Sequence, residues 1–210
     1  MEKLIIVGAG GFGKEVLQWA IDCNRENEKW EIKGFLDPNS IEKKEINGIP
    51  ILPFDDDSYT IQEEDVFVCA IGDCNIREKV SKKLEQRGAR FISIIHPTAL
   101  ISDTAEIGKG TVICPHAVIS PDARIGEHCI VNIKSVVAHE SRVGAFSILC
   151  CFCDVTGNCN IGKRVFMGSG SRVIPSKKIG DDVYIGAGSV VVSNLKKGGK
   201  VFGNPAHRIG

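Results

Sequence analysis

From Ile101 to Val191 an aliphatic side chain recurs at every sixth position. The series is Ile101, Ile107, Ile113, Ile119, Ile125, Val131, Val137, Val143, Leu149, Val155, Ile161, Met167, Val173, Ile179, Ile185 and Val191. Two places before most of these lies a small residue, such as Ala99, Thr111, Ala117, Cys129, Ser135, Ser141, Cys153 or Ser189. Strand side chains alternate between faces, so positions i−2 and i point the same way. Facing inward, each pair fills a narrow core while the residue between them faces out. A fixed short period predicts stacked coils, and six residues is the period of a parallel β-helix. The dipeptide Ile/Val-Gly recurs at Ile107, Ile125, Val143, Ile161 and Ile179, 18 residues apart. Three hexads therefore make one triangular coil, and glycine after the aliphatic residue is expected to permit the bend to the next face. The register never breaks between Ile101 and Val191. Any active site must then be built on the wall of the helix, from edge residues and neighbouring copies.

Residues 1–95 follow another pattern. Lys3–Val7, Trp30–Leu36, Val66–Ile71 and Ala89–Ile95 read as strands, and Lys14–Cys23 and Ile76–Arg87 as amphipathic helices. Alternation of strands and helices predicts a small parallel α/β sheet of Rossmann-like type. The boundary falls at His96-Pro97. This gives an α/β domain over 1–95 and an all-β helix domain over 96–210.

Composition narrows the function classes. Lys plus Arg equals Asp plus Glu, 26 each, which offers no long-range attraction to nucleic acid or an anionic membrane. Aromatic residues make up only 6%, against a base-stacking surface. No signal peptide or membrane span is expected, so a cytoplasmic enzyme is the default. Of the nine cysteines, Cys129, Cys153 and Cys159 occupy the small inward position as compact fillers. Cys150, Cys151 and Cys153 lack a second cluster at zinc-ligand spacing, so reduced structural thiols and no metal are expected.

The turn Gly8-x-Gly10-x-x-Gly13 follows a strand and opens a helix, a context for phosphate binding. Asp37, ending the second strand, is placed to bond a ribose hydroxyl. An NAD-dependent reading is open on this evidence, although 95 residues are little more than half a dinucleotide fold.

The chain resembles the hexapeptide-repeat acyltransferases. Within them it is similar to the sugar acetyltransferases of bacterial surface-glycan synthesis, the sialic-acid O-acetyltransferases and UDP-4-amino-sugar N-acetyltransferases. The segments that carry the likeness are 6–13, Gly34-Phe35-Leu36-Asp37, Ala70-Ile71-Gly72, 95–99, Val137-Ala138-His139-Glu140, 185–191 and Gly203-Asn204-Pro205-Ala206. The resemblance implies a left-handed helix, a homotrimer, and acetyl-CoA in the cleft between adjacent helices. It also implies a nucleotide-linked sugar held by Gly10, Gly11, Phe12, Asp37, Pro38 and Gly72. The family's base falls on His139, and Glu140 supports it. Acetyl transfer to an amine or hydroxyl needs a group that takes the acceptor proton, and a near-neutral histidine suits this. No acyl-enzyme is implied, so the cysteines need no nucleophilic role. Acetyl-CoA contacts fall on Gly157, Ser169 and Ala187. Lys177, Lys178, Lys196, Lys197 and Lys200 are candidates for the CoA phosphates.

Two positions depart from the family pattern. Relatives often have His where this chain has Phe12, and a second His where it has Ile148. His116 and His128 read as surface groups, and His96 as part of the domain junction. Three rival functions remain at this level. They are a serine-type acetyltransferase, an NAD-binding protein with a solenoid trimerisation module, and a non-catalytic scaffold.

Overall fold

The computed structural model describes residues 1–38, 44–52 and 59–209. In the N-terminal unit β1 (Glu2–Val7), α1 (Gly11–Glu26), β2 (Trp30–Leu36), β3 (Glu45–Ile46), β4 (Ile49–Leu52), β5 (Asp65–Cys69), α2 (Cys74–Gln86) and β6 (Arg90–Phe91) follow in order. They form one sheet in the order β3-β4-β2-β1-β5-β6, parallel except for the β3–β4 pair. β1 and β5 are buried on both faces, as a continuous apolar run requires in a parallel sheet. The β3–β4 hairpin had no counterpart in the sequence reading, because its strands are too short for a periodic signal.

The expected strand Ala89–Ile95 divides instead. β6 ends the α/β sheet, and β7 (Ile94–Ile95) begins the solenoid. Ser93 explains the break. Its hydroxyl donates to the Gly108 carbonyl at 3.0 Å and accepts from the Thr111 N–H at 3.1 Å, which ties the chain to the first coil.

From β7 to the rung Val190–Val191 two-residue rungs stack in three parallel sheets with an 18-residue register, and an antiparallel pair, Lys200–Phe202 with His207–Ile209, ends the first sheet. The inward aliphatic ladder is buried throughout the coils from Ile113 to Val191. Each fully buried side chain of this kind is worth about 1.5–3 kcal/mol. The small inward residues do more than fill space. Ser147 Oγ donates to the Gly162 carbonyl at 2.9 Å and accepts from the Val165 N–H at 3.0 Å. Ser135 and Ser141 bridge to the next coil in the same manner.

The glycines after the aliphatic residues have a different role from the one expected. The left-handed backbone lies two residues further on, at His116, Asp122, His128, Lys134, Glu140 and onward, with φ between 54° and 61° for the non-glycine members. Gly126 is instead required by close stacking, since a Cβ there would lie 2.6 Å from the Ala145 nitrogen in the coil below.

The three outer faces differ. One carries Ile94, Val112, Ile130 and Ile148, all buried in a shared core with Val16, Leu17, Trp19 and Ala20 of α1. On this docked face the residues expected to point into solvent pack against the α/β unit. The second face presents Leu100, Val118, Val136, Asp154, Arg172 and Val190, with Leu100 67% exposed. The third presents Glu106, Arg124, Arg142, Asn160 and Lys178, all exposed.

His128 is a correction. It is fully buried, not a surface group. Its ring stacks on Phe146 at 4.9 Å and meets Phe91 edge-on at 4.8 Å, with Nε2 3.3 Å from Glu85 Oε1. The α/β unit covers that edge of the helix, and burial pushes the imidazole pKa down. His96 does lie at the junction, with Nε2 3.4 Å from Asp22 of α1.

The stacking argument predicts that Gly126→Ala lowers stability by about 1–3 kcal/mol in urea unfolding. Gly170→Asn should stay within about 0.5 kcal/mol, because an added Cβ meets nothing and Asn tolerates the left-handed backbone. Equal losses at both positions would refute it.

Candidate active site

His139 and Glu140 sit in the turn between the second and third faces, after the rung Val136–Val137 and before Arg142–Val143. Glu140 is the left-handed residue of that turn, with φ 59°. Both side chains are 65% exposed, and His139 Nδ1 lies 3.3 Å from Glu140 Oε2. A proton on Nδ1 directed at the carboxylate leaves the lone pair on Nε2, the arrangement of a general base. The His139 carbonyl accepts from the Asn158 N–H at 2.9 Å in the next coil.

Gly157 lies directly below. A Cβ there would stand 2.6 Å from both Cε1 and Nε2 of His139. The absent side chain is what lets the imidazole lie against the coil. Gly157 was expected at the acetyl-CoA site, and it is placed beside the candidate base.

Ser169 and Ala187 are exposed on a different edge, between the docked and second faces. They stack one coil apart, with a Gly188 N–H to Ser169 carbonyl bond of 2.9 Å. A single chain therefore does not bring them to His139. Ile148 is buried at the docked face, so this position packs the α/β unit and has no part at the histidine edge of its own chain.

The six residues expected to hold a sugar nucleotide come together. Gly10, Gly11, Phe12, Asp37, Pro38 and Gly72 line one cleft of about 380 Å³ at the C-terminal ends of β1, β2 and β5. This is where ligands bind in open parallel sheets. Gly8 adopts φ +103°, and Gly13 packs on the Gly8 carbonyl too closely for any side chain. α1 starts at Gly11 with no side-chain cap and no acidic residue in its first turn. Its positive end therefore opens into the cleft, suited to phosphate. Asp37 Oδ2 accepts from the Ala9 N–H at 2.7 Å and so holds the glycine turn. Phe12 packs edge-on against Trp19, with ring centroids 5.6 Å apart.

All nine cysteines are free thiols. Burial pushes Cys129 and Cys150 up to about 12, which opposes thiolate nucleophilicity. Among the described residues no cluster of three or more His, Cys, Asp or Glu could hold a metal ion. No described helix is long and apolar enough to cross a membrane.

Residues 3–84 match the family model of the PglD N-terminal domain. A UDP-N-acetylbacillosamine N-acetyltransferase of Bacillus subtilis (strain 168) is 40% identical over 48 residues, 23% of this chain and 22% of that protein. The acetyltransferase domain of PglB from Neisseria gonorrhoeae FA1090, solved with acetyl coenzyme A, is 30% identical with a TM-score of 0.91. That match covers 99% of each chain. The chain belongs to the hexapeptide-repeat sugar acetyltransferases. PerB from Caulobacter crescentus, solved with CoA and GDP-perosamine, is 29% identical with a TM-score of 0.89, over 100% of this chain and 98% of that one.

The sequence reading missed Arg77, which is wholly buried between α2 and the helix. Its signal was present in the spacing of Cys74, Arg77, Ser81 and Leu84, the buried stripe of α2.

The contact between Gly157 and His139 yields a prediction for this sugar acetyltransferase. Gly157→Ala should displace the imidazole and cut kcat by about 10²-fold, with a thermal midpoint close to wild type. Steady-state thiol release and a melting curve check it, and unchanged kcat would refute the seating role.

Proposed function

We propose that this chain transfers an acetyl group from acetyl-CoA to an amine or hydroxyl of a nucleotide-linked sugar. The observation that carries this is the exposed His139–Glu140 pair on the coil edge, in a chain that matches an acetyl-CoA-bound relative over its whole length. The Bacillus subtilis relative is named an N-acetyltransferase, which favours the amine. His139 Nε2 takes the acceptor proton as nitrogen attacks the thioester carbonyl. The C–N bond forms, the C–S bond breaks, and the CoA sulfur leaves with the electron pair. Glu140 steadies the imidazolium that results. The α/β unit carries the nucleotide-sugar site, and the solenoid from β7 onward is the acyl-transfer helix.

In this reading the enzyme is a cytoplasmic homotrimer of glycan synthesis. The uneven faces of the helix support the trimer. The first is covered by the α/β unit and the third is charged. The second is largely apolar and uncovered, which suits contact with another copy. When three copies turn that face to a common axis, the His139 edge of one copy meets the Ser169–Ala187 edge of the next. The glycine-turn cleft lies on the far side of the prism from its own His139. A complete site then takes His139 and Gly157 from one copy. It takes the cleft, Ser169 and Ala187 from its neighbour.

His139→Ala should lower acetyl transfer by about 10²–10⁴-fold in a thiol-release assay with UDP- and GDP-linked 4-amino sugars. Near wild-type rates would sink the base assignment, and thermal stabilisation by NAD alone would sink the acyltransferase reading. Gly11→Trp should block the cleft. Co-refolding it with His139→Ala should restore about a quarter of wild-type activity, the share of interfaces that pair an intact histidine with an intact cleft. No recovery would mean that each site lies within one chain.

A further inference from the structure

Arg77 is the largest fully buried side chain described in the molecule, and no carboxylate among the described residues meets it. Burying a guanidinium is costly unless its N–H groups are satisfied. Here backbone carbonyls satisfy them, from two separate parts of the fold. On the solenoid side Nε donates to the His128 carbonyl at 3.0 Å, and Nη2 to the Phe146 and Ser147 carbonyls at 2.7 and 3.3 Å. On the α/β side Nη1 donates to the Ile71 and Gly72 carbonyls at 2.7 and 3.3 Å. Ile71 and Gly72 form the wall of the glycine-turn cleft beyond β5, and Ile76 and Val80 of the same helix line it too. The planar fork of an arginine can span both sets at once, whereas a lysine ammonium has three donors on a single atom.

We infer that Arg77 is a positioning residue for the acceptor, a strut that fixes the Ile71–Gly72 wall of the cleft against the solenoid edge. It touches no substrate. It sets where the cleft wall stands relative to the coils, and hence where a bound nucleotide sugar presents its reacting group. An apolar residue at this place in α2 would serve packing alone, without the cost of a buried charge. The inference rests on the function proposed above.

The test uses the full chain with a nucleotide amino sugar that the wild type acetylates. Arg77→Lys keeps the charge but loses the fork. It should raise the acceptor KM by about tenfold or more and leave the acetyl-CoA KM within about twofold, because the acetyl-CoA residues lie on other edges. Arg77→Gln, which is neutral and has two donors, should shift the acceptor KM in the same direction. Calorimetric binding of the bare nucleoside diphosphate at low temperature should weaken in parallel, which gives a readout if either variant is too labile for kinetics. A strut that serves stability alone would lower the melting temperature while leaving both KM values and the nucleotide affinity unchanged, and that result overturns the inference. So does an equal rise in both KM values, or failure of both variants to fold even at low temperature. If the wild type acetylates no nucleotide sugar, the proposed function fails first, a distinct outcome.

Discussion

Backbone contact between successive coils is the constraint on which the rest of this molecule depends. Each rung hydrogen-bonds to the rung 18 residues on, and Gly108, Gly126, Gly144 and Gly162 stack with no room for a Cβ. Buried serines fasten one coil to the next through both a donated and an accepted bond. The register runs without an inserted loop, and from Gly110 to Gly188 each turn places its left-handed residue at the same point. Chemistry is thereby confined to the edges. His139 lies on such an edge, with its ring set against Gly157 of the next coil. Glycine permits close stacking at one edge, and at another it makes room for the candidate imidazole.

The α/β unit depends on the stack in turn. Its core is closed by the outward side chains of one helix face, Ile94, Val112, Ile130 and Ile148. Ile148 is part of this packing. Arg77 and His128 complete the junction with polar contacts, Arg77 to backbone carbonyls of the coils and His128 to Glu85. The nucleotide-type cleft is therefore held by a rigid wall on the same side as the docked face. The candidate base stands on the opposite edge. The proposed trimer bridges that separation with a neighbouring copy, joined through the apolar second face.

The sequence determined the solenoid by itself, because a six-residue period with small and branched residues at i−2 and i has few other physical solutions. The family resemblance pointed to the cleft residues, and the structure brings them together. Gly10, Gly11, Phe12, Asp37, Pro38 and Gly72 lie at three parallel strand ends, and parallel strands bring their C-terminal ends to one side. The adjacency of His139 and Glu140 was legible for the same reason, being local. What the tertiary structure decided were the contacts between elements far apart in the chain. The hexad position of His128 faces outward, and only the docking of the α/β unit buries it. The strand expected over Ala89–Ile95 divides because Ser93 bonds to Gly108 and Thr111. Arg77 stands on the buried stripe of α2, yet nothing in the sequence says which carbonyls await it. Periodicity reports which face a side chain occupies, and only the packed fold reports what that face meets.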